Sequence, residues 1–143
     1  MLRLMGKARQ TVGIIGAGQL ARMLIEAATP LDIDIAILAA SARDSAARIW
    51  PNVTIGSPDD IDVVSAFAAR CDVITFDHEL VPEPVLQRLE ADNALLAPSA
   101  ETMRIAQNKQ RQRELFGEAG LPQPAHRICA RISVNPEGGA GRL

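Results

Sequence analysis

The stretch Gly16-Ala17-Gly18-Gln19-Leu20-Ala21 constrains the fold of this chain more than any other feature. A short apolar, β-branched run at residues 11–15 precedes it, as expected of a buried strand. Leu20, Met23, Leu24 and Ala27 follow at helical spacing, and Pro30 closes that helix. A glycine-rich turn between a strand and a helix marks the first βα unit of a nucleotide-type domain. Gly16 permits the tight turn, Gly18 admits close approach to the backbone, and Ala21 lets helix and strand pack closely. The helix start then offers free N–H groups and a positive dipole end to a phosphate.

The rest of the chain repeats the alternation. Residues 33–39 form a second apolar run, interrupted only by Asp34, and 53–55 a short third strand ending at Gly56. Ser57-Pro58-Asp59-Asp60 predicts a helix start with Ser57 as cap, and Val63, Val64, Phe67 and Ala68 supply its buried face. Residues 72–76 predict a fourth strand, 84–89 a short helix and 94–97 a fifth strand. Pro98-Ser99 opens a helix to about residue 108, and a helical pattern continues to Ala119. Gly120-Leu121-Pro122-Gln123-Pro124 breaks it. Strands alternating with helices at this spacing define an α/β fold, a doubly wound parallel sheet. With 48% hydrophobic but only 3% aromatic residues, its core must be aliphatic.

Composition excludes several function classes. A net charge of −2 gives no general attraction to nucleic acid or to an anionic membrane. No apolar stretch approaches the roughly 20 residues that span a bilayer. Cys71 and Cys129 make no CxxC pair, which argues against a disulfide framework or zinc site and fits a reducing cytoplasm. Cys71 reads as a small core residue, and Trp50-Pro51 as packing.

Three segments bear on chemistry. The second strand ends Leu38-Ala39-Ala40-Ser41, without the acid that holds a dinucleotide's ribose; the first acid beyond it is Asp44, after Arg43. This weakens a nicotinamide-dependent oxidoreductase reading, which stands as one alternative. Arg43 could meet an extra phosphate, although a solvated loop arginine is the plainer reading. Asp77-His78-Glu79 follows the fourth strand, at the sheet edge where open parallel sheets bind ligands. Two carboxylates flanking a histidine suit an amine or a ribose hydroxyl. The plainer alternative is a polar loop with Asp77 capping the helix that follows. The third segment, Gln107-Asn108-Lys109-Gln110-Arg111-Gln112-Arg113-Glu114, reads by composition as a solvated helix face.

In their order these pieces resemble the N-terminal part of the carboxyaminoimidazole ribonucleotide synthases, a family of the ATP-grasp superfamily. The resemblance rests on the run from Gly13 to Leu24 with Gln19, Arg22 and Met23 in place, on Asp72-Val73-Ile74-Thr75-Phe76-Asp77-His78-Glu79, on Pro98-Ser99, and on Ile105-Ala106-Gln107-Asn108-Lys109. It covers residues 11–126. It implies a Rossmann-like pre-ATP-grasp domain of an ATP-dependent ligase in purine biosynthesis, with ATP and Mg as cofactors. The substrates it implies are 5-aminoimidazole ribonucleotide and bicarbonate, and the location cytoplasmic. No nucleic-acid or membrane partner is expected, and a homodimer is possible.

By the same resemblance Gly16, Gly18, Gln19 and Leu20 face the ribonucleotide phosphate, Glu79 contacts the aminoimidazole ribonucleotide and Lys109 contacts ATP. The implied organisation is a leader (1–10), the Rossmann-like domain (11–109), a helix and linker (110–126) and an atypical, poorly ordered tail (127–143). The family continues well beyond this linker, and its ATP-grasp lysines and metal ligands have no counterpart here. A truncated, frame-shifted or cut reading is therefore expected, inactive by itself. A non-catalytic nucleotide-binding module is the other alternative.

Overall fold

The computed structural model describes residues 9–127. These divide into two compact units, one ending at Gln107 and one beginning at Asn108. The first holds a four-stranded sheet built from β1 (Thr11–Ile15), β2 (Asp34–Ala39), β3 (Val53–Ile55) and β4 (Val73–Phe76). The strand order is β3-β2-β1-β4, and every pair is parallel. Helices α1 (Gln19–Ala28), α2 (Ile61–Ala68), α3 (Glu83–Ala91) and α4 (Ala100–Gln107) connect and cover it, with a 3-10 turn at Thr29–Leu31 after α1.

Alternation along the strands separates two cores. Ile14, Ile35, Ile37 and Ala39 pack beneath α1, while Ile15, Leu38, Ile74 and Phe76 pack against α2, α3 and α4. The buried side of α1 is Ala21, Ile25 and Ala28. Its larger residues Leu20, Met23 and Leu24 lie on the exposed side. Small side chains let this helix approach the sheet closely, so the bulkiest apolar period does not mark its inner face. Trp50 packs on the α1-side core and donates its indole N–H to the Ile35 carbonyl at 2.8 Å. Cys71 packs against the opposite core, and burial pushes its thiol pKa up.

Two local expectations are corrected and a third is sharpened. Residues 94–97 do not form a strand but a single bridge, Leu96 to Ile74. Two backbone bonds join this segment to Ile74, and Pro98 then lacks an N–H with which to extend the ladder. The helix α2 begins at Ile61, and its cap is Asp60, whose carboxylate accepts from Asp62 and Val63 N–H. Ser57 instead accepts the Asp59 N–H at 3.2 Å. The helical pattern beyond Pro98 is broken at Asn108, an extended residue (φ −110°, ψ 101°) that caps α5 (Lys109–Glu118).

In this second unit α5 ends in a Schellman arrangement. Leu121 N–H donates to Phe116 C=O and Gly120 N–H to Gly117 C=O. The expectations for residues 1–8 and 128–143, including Cys129, lie outside the described residues. Among the described residues no helix is long and apolar enough to cross a membrane.

Arg104 of α4 ties that helix to α3. Its guanidinium lies 2.9 Å from Glu83 and 2.7 Å from Glu90. Hydrogen bonds from Arg104 hold both carboxyls below the ordinary range. A lowered carboxyl pKa contributes stability above the unfolded value, about 4.3 for Glu, and that contribution is lost as pH falls through the folded value. Arg104→Leu is therefore expected to lower the urea midpoint at neutral pH. The gap to the parent should shrink steadily below about pH 4. An equal gap at pH 7 and pH 3 would show that Arg104 acts through packing alone.

Candidate functional site

The strand order changes direction between β1 and β4, which makes a switch point at the C-terminal ends of these strands. Two segments meet there, the glycine turn after β1 and the Asp77-His78-Glu79 loop after β4. Ile15 and Phe76 pair in register, so the residues that follow each of them are brought side by side.

Asp77 organises this meeting. It is buried, and its own N–H donates to Ile15 C=O at 2.9 Å. One carboxylate oxygen accepts the Gly18 N–H at 2.6 Å, and the other the Ala21 N–H at 2.7 Å. Asp77 thus supplies the side-chain cap that Gly18, the N-cap residue of α1, cannot provide. The sequence expectation that Asp77 caps the following helix is corrected: it caps the first one, and Pro82 precedes α3.

The glycines answer to the same carboxylate. Gly16 has φ +104°, and a Cβ there would lie 2.6 Å from the Asp77 Cβ. A Cβ at Gly18 would press on Asp77 Oδ2. The close approach to Gly18 within the chain is therefore made by Asp77. Two of the N–H groups at the head of α1 are already engaged. Those of Gln19 and Leu20 have no partner among the described residues. They sit at the positive end of the helix, where an anion is favoured.

A cleft of about 290 Å³ opens beside the turn, lined by Gly16, Gly18, Ser45, Pro58, Asp77 and His78 among others. A second, of about 250 Å³, adjoins it through Gly16, Pro58 and His78 and reaches Leu80 and Val81. The β2–β3 loop closes one side. Ala46 N–H donates to Ala17 C=O at 2.9 Å, and the Ser45 hydroxyl to Gln19 Oε1 at 3.3 Å. Asp44 lines the cleft, but its Oδ2 accepts the Ser41 N–H at 3.0 Å.

Glu79 is exposed beyond His78, whose Nδ1 accepts the Leu80 N–H at 3.2 Å. The Gln107 side-chain amide donates to the backbone carbonyls of Glu79 and Val81, each at 2.8 Å. Gln107 therefore straps down the loop that carries Glu79. Sequence reading missed this role, since nothing local links residues 28 positions apart. Lys109 opens α5 in the second unit, with Nζ 3.5 Å from Gln112 Oε1. Among the described residues no group of three or more His, Cys, Asp or Glu could hold a metal ion. The first unit thus combines an anion cradle with hydrogen-bonding carboxylates, an arrangement suited to binding.

A doubly wound parallel sheet with a glycine turn and a cleft at its switch point defines a Rossmann-like α/β domain. More narrowly, the chain belongs to the ribonucleotide synthetase preATP-grasp domain family, whose model matches residues 9–107. It is 43% identical over 115 residues to the N5-carboxyaminoimidazole ribonucleotide synthase of Mycobacterium bovis, covering 80% of this chain and 27% of that protein. Among solved structures, an ADP complex of an N5-carboxyaminoimidazole ribonucleotide synthetase superposes with a TM-score of 0.74 at 31% identity, covering 82% of this chain and 31% of the other. The Aspergillus clavatus N5-carboxyaminoimidazole synthase, in complex with ADP and 5-aminoimidazole ribonucleotide, gives a TM-score of 0.72 at 31% identity, over 83% and 32% of the two chains. The chain thus spans about a third or less of the length of these relatives. None of them supports the nicotinamide alternative.

Proposed function

We propose that this chain carries the ribonucleotide-binding part of an ATP-dependent ligase. That enzyme carboxylates 5-aminoimidazole ribonucleotide with bicarbonate in cytoplasmic de novo purine biosynthesis. The observation that carries the reading is the pair of unengaged N–H groups on Gln19 and Leu20, in a turn that Asp77 holds rigid. Relatives named for this chemistry share the fold, and one was solved with the ribonucleotide bound.

In this reading the phosphate sits on Gln19 and Leu20 N–H. Gly16 and Gly18 shape the turn, and Glu79 accepts a hydrogen bond from the aminoimidazole. Lys109 serves ATP. Bicarbonate is a poor electrophile, and phosphate transfer from ATP gives it a leaving group. Mg would neutralise the phosphoryl charge during that transfer. The described residues offer no set of ligands for the metal. A homodimer is proposed as the assembly.

A ligand that binds only the native state raises its stability. Millimolar 5-aminoimidazole ribonucleotide is expected to raise the thermal midpoint of the 143-residue chain saturably. Glu79→Gln should weaken binding by roughly tenfold, the loss expected for one charge-assisted hydrogen bond. ATP and bicarbonate added to the same protein should release no ADP. No thermal shift at millimolar ribonucleotide would overturn the reading. ADP release would overturn the part that confines this chain to binding.

A further inference from the structure

A third cavity, of about 330 Å³, is lined by Arg22, Arg43, Ser45, Arg48 and Ile49. Ser45 lines this cavity and the 290 Å³ cleft, so the two adjoin. Three arginines from two separate segments line it, in a chain whose net charge is −2. We propose that Arg22, Arg43 and Arg48 form an anion site distinct from the ribonucleotide cleft, which takes a small polyanion of the pyrophosphate class.

The loop that presents Arg43 and Arg48 is fixed at its middle. Ala46 is fully buried and donates its N–H to Ala17 C=O at 2.9 Å. Arg48 N–H donates to Asp44 C=O, and both Ile49 and Trp50 N–H donate to Ala46 C=O, each at 3.1 Å. The Trp50 indole anchors the far end on Ile35. The two arginines therefore leave a backbone whose shape is already set, which reduces the ordering cost of binding.

Local acids engage only Arg22 of the three. Glu26 lies 3.6 Å from Arg22, and Asp44 turns to the Ser41 N–H. Arg43 and Arg48 make no ion pair among the described residues, whereas Arg9, Arg88 and Arg104 all do. Two uncompensated guanidiniums and a third shared with Glu26 match an anion of two or three charges. Guanidinium forks bind phosphate oxygens in pairs, which favours a phosphate-bearing ligand over a halide.

The test is calorimetric titration of the 143-residue chain with sodium pyrophosphate at low ionic strength. One saturable site is expected, weakening as salt is added. The double variant Arg43→Ala, Arg48→Ala should bind pyrophosphate at least about tenfold more weakly. Its urea midpoint and its ribonucleotide binding should stay unchanged, since both side chains are exposed and outside the cleft. No saturable binding at millimolar pyrophosphate would overturn the proposal. So would full retention of binding in the double variant, or one-for-one displacement of pyrophosphate by the ribonucleotide. That last result would place the anion on Gln19 and Leu20 and leave the ribonucleotide reading intact.

Discussion

Asp77→Ala is expected to destabilise the first unit by roughly 3 kcal/mol, from loss of the two charge-assisted hydrogen bonds that cap α1. The substitution leaves the buried Ala21 N–H and the Gly18 N–H without their acceptor. For a unit of this size, each kcal/mol moves the thermal midpoint by about 4–8 °C, so a fall of more than 10 °C is expected, on the order of that scaling. Asp77→Asn keeps one acceptor oxygen and should lose less. Urea unfolding followed by circular dichroism gives both values. A loss below about 1 kcal/mol for the alanine variant would show that water replaces the carboxylate and that the turn does not depend on it.

The glycines give the second large effect, and the two should behave differently. Gly18 has an ordinary extended conformation (φ −79°), so alanine is excluded there only by the Asp77 carboxylate. Gly18→Ala is expected to cost about 2–3 kcal/mol in the parent, as an overpacked site does. In an Asp77→Ala background most of that cost should vanish, because the obstructing oxygen is gone. Gly16→Ala should remain costly in both backgrounds. Its φ of +104° and its clash with the Asp77 Cβ persist when residue 77 is alanine. Double-mutant cycles in urea read the couplings directly. Equal coupling of both glycines to Asp77, or none, would contradict the geometry.

These expectations show where the sequence was legible. The four strands and the turn were readable because each is a short local pattern of β-branched residues or of glycines at fixed offsets. Ala21 was legible as the close helix–strand contact. The role of Asp77 was not, because its hydrogen bonds span 56 and 59 positions, and a local cap is the default for an aspartate before a helix. The same long range hid Gln107, which acts on the loop carrying Glu79 from the end of α4. The inner side of α1 was obscured for another reason. Burial there selects small residues, so the stronger apolar period, Leu20, Met23 and Leu24, lies outside. At α2 two capping residues stand three apart, and only the folded backbone distinguishes Asp60 from Ser57.

The glycine turn itself now has two separate duties. Its glycines make room for Asp77, and its Gln19 and Leu20 N–H groups remain for a ligand. An amide-resolved NMR titration of the 143-residue chain with 5-aminoimidazole ribonucleotide tests this division most directly. Saturable shifts centred on Gln19 and Leu20, with the Asp77-bound amides of Gly18 and Ala21 moving far less, are the predicted result. Shifts concentrated elsewhere, or none at millimolar ligand, would contradict the account.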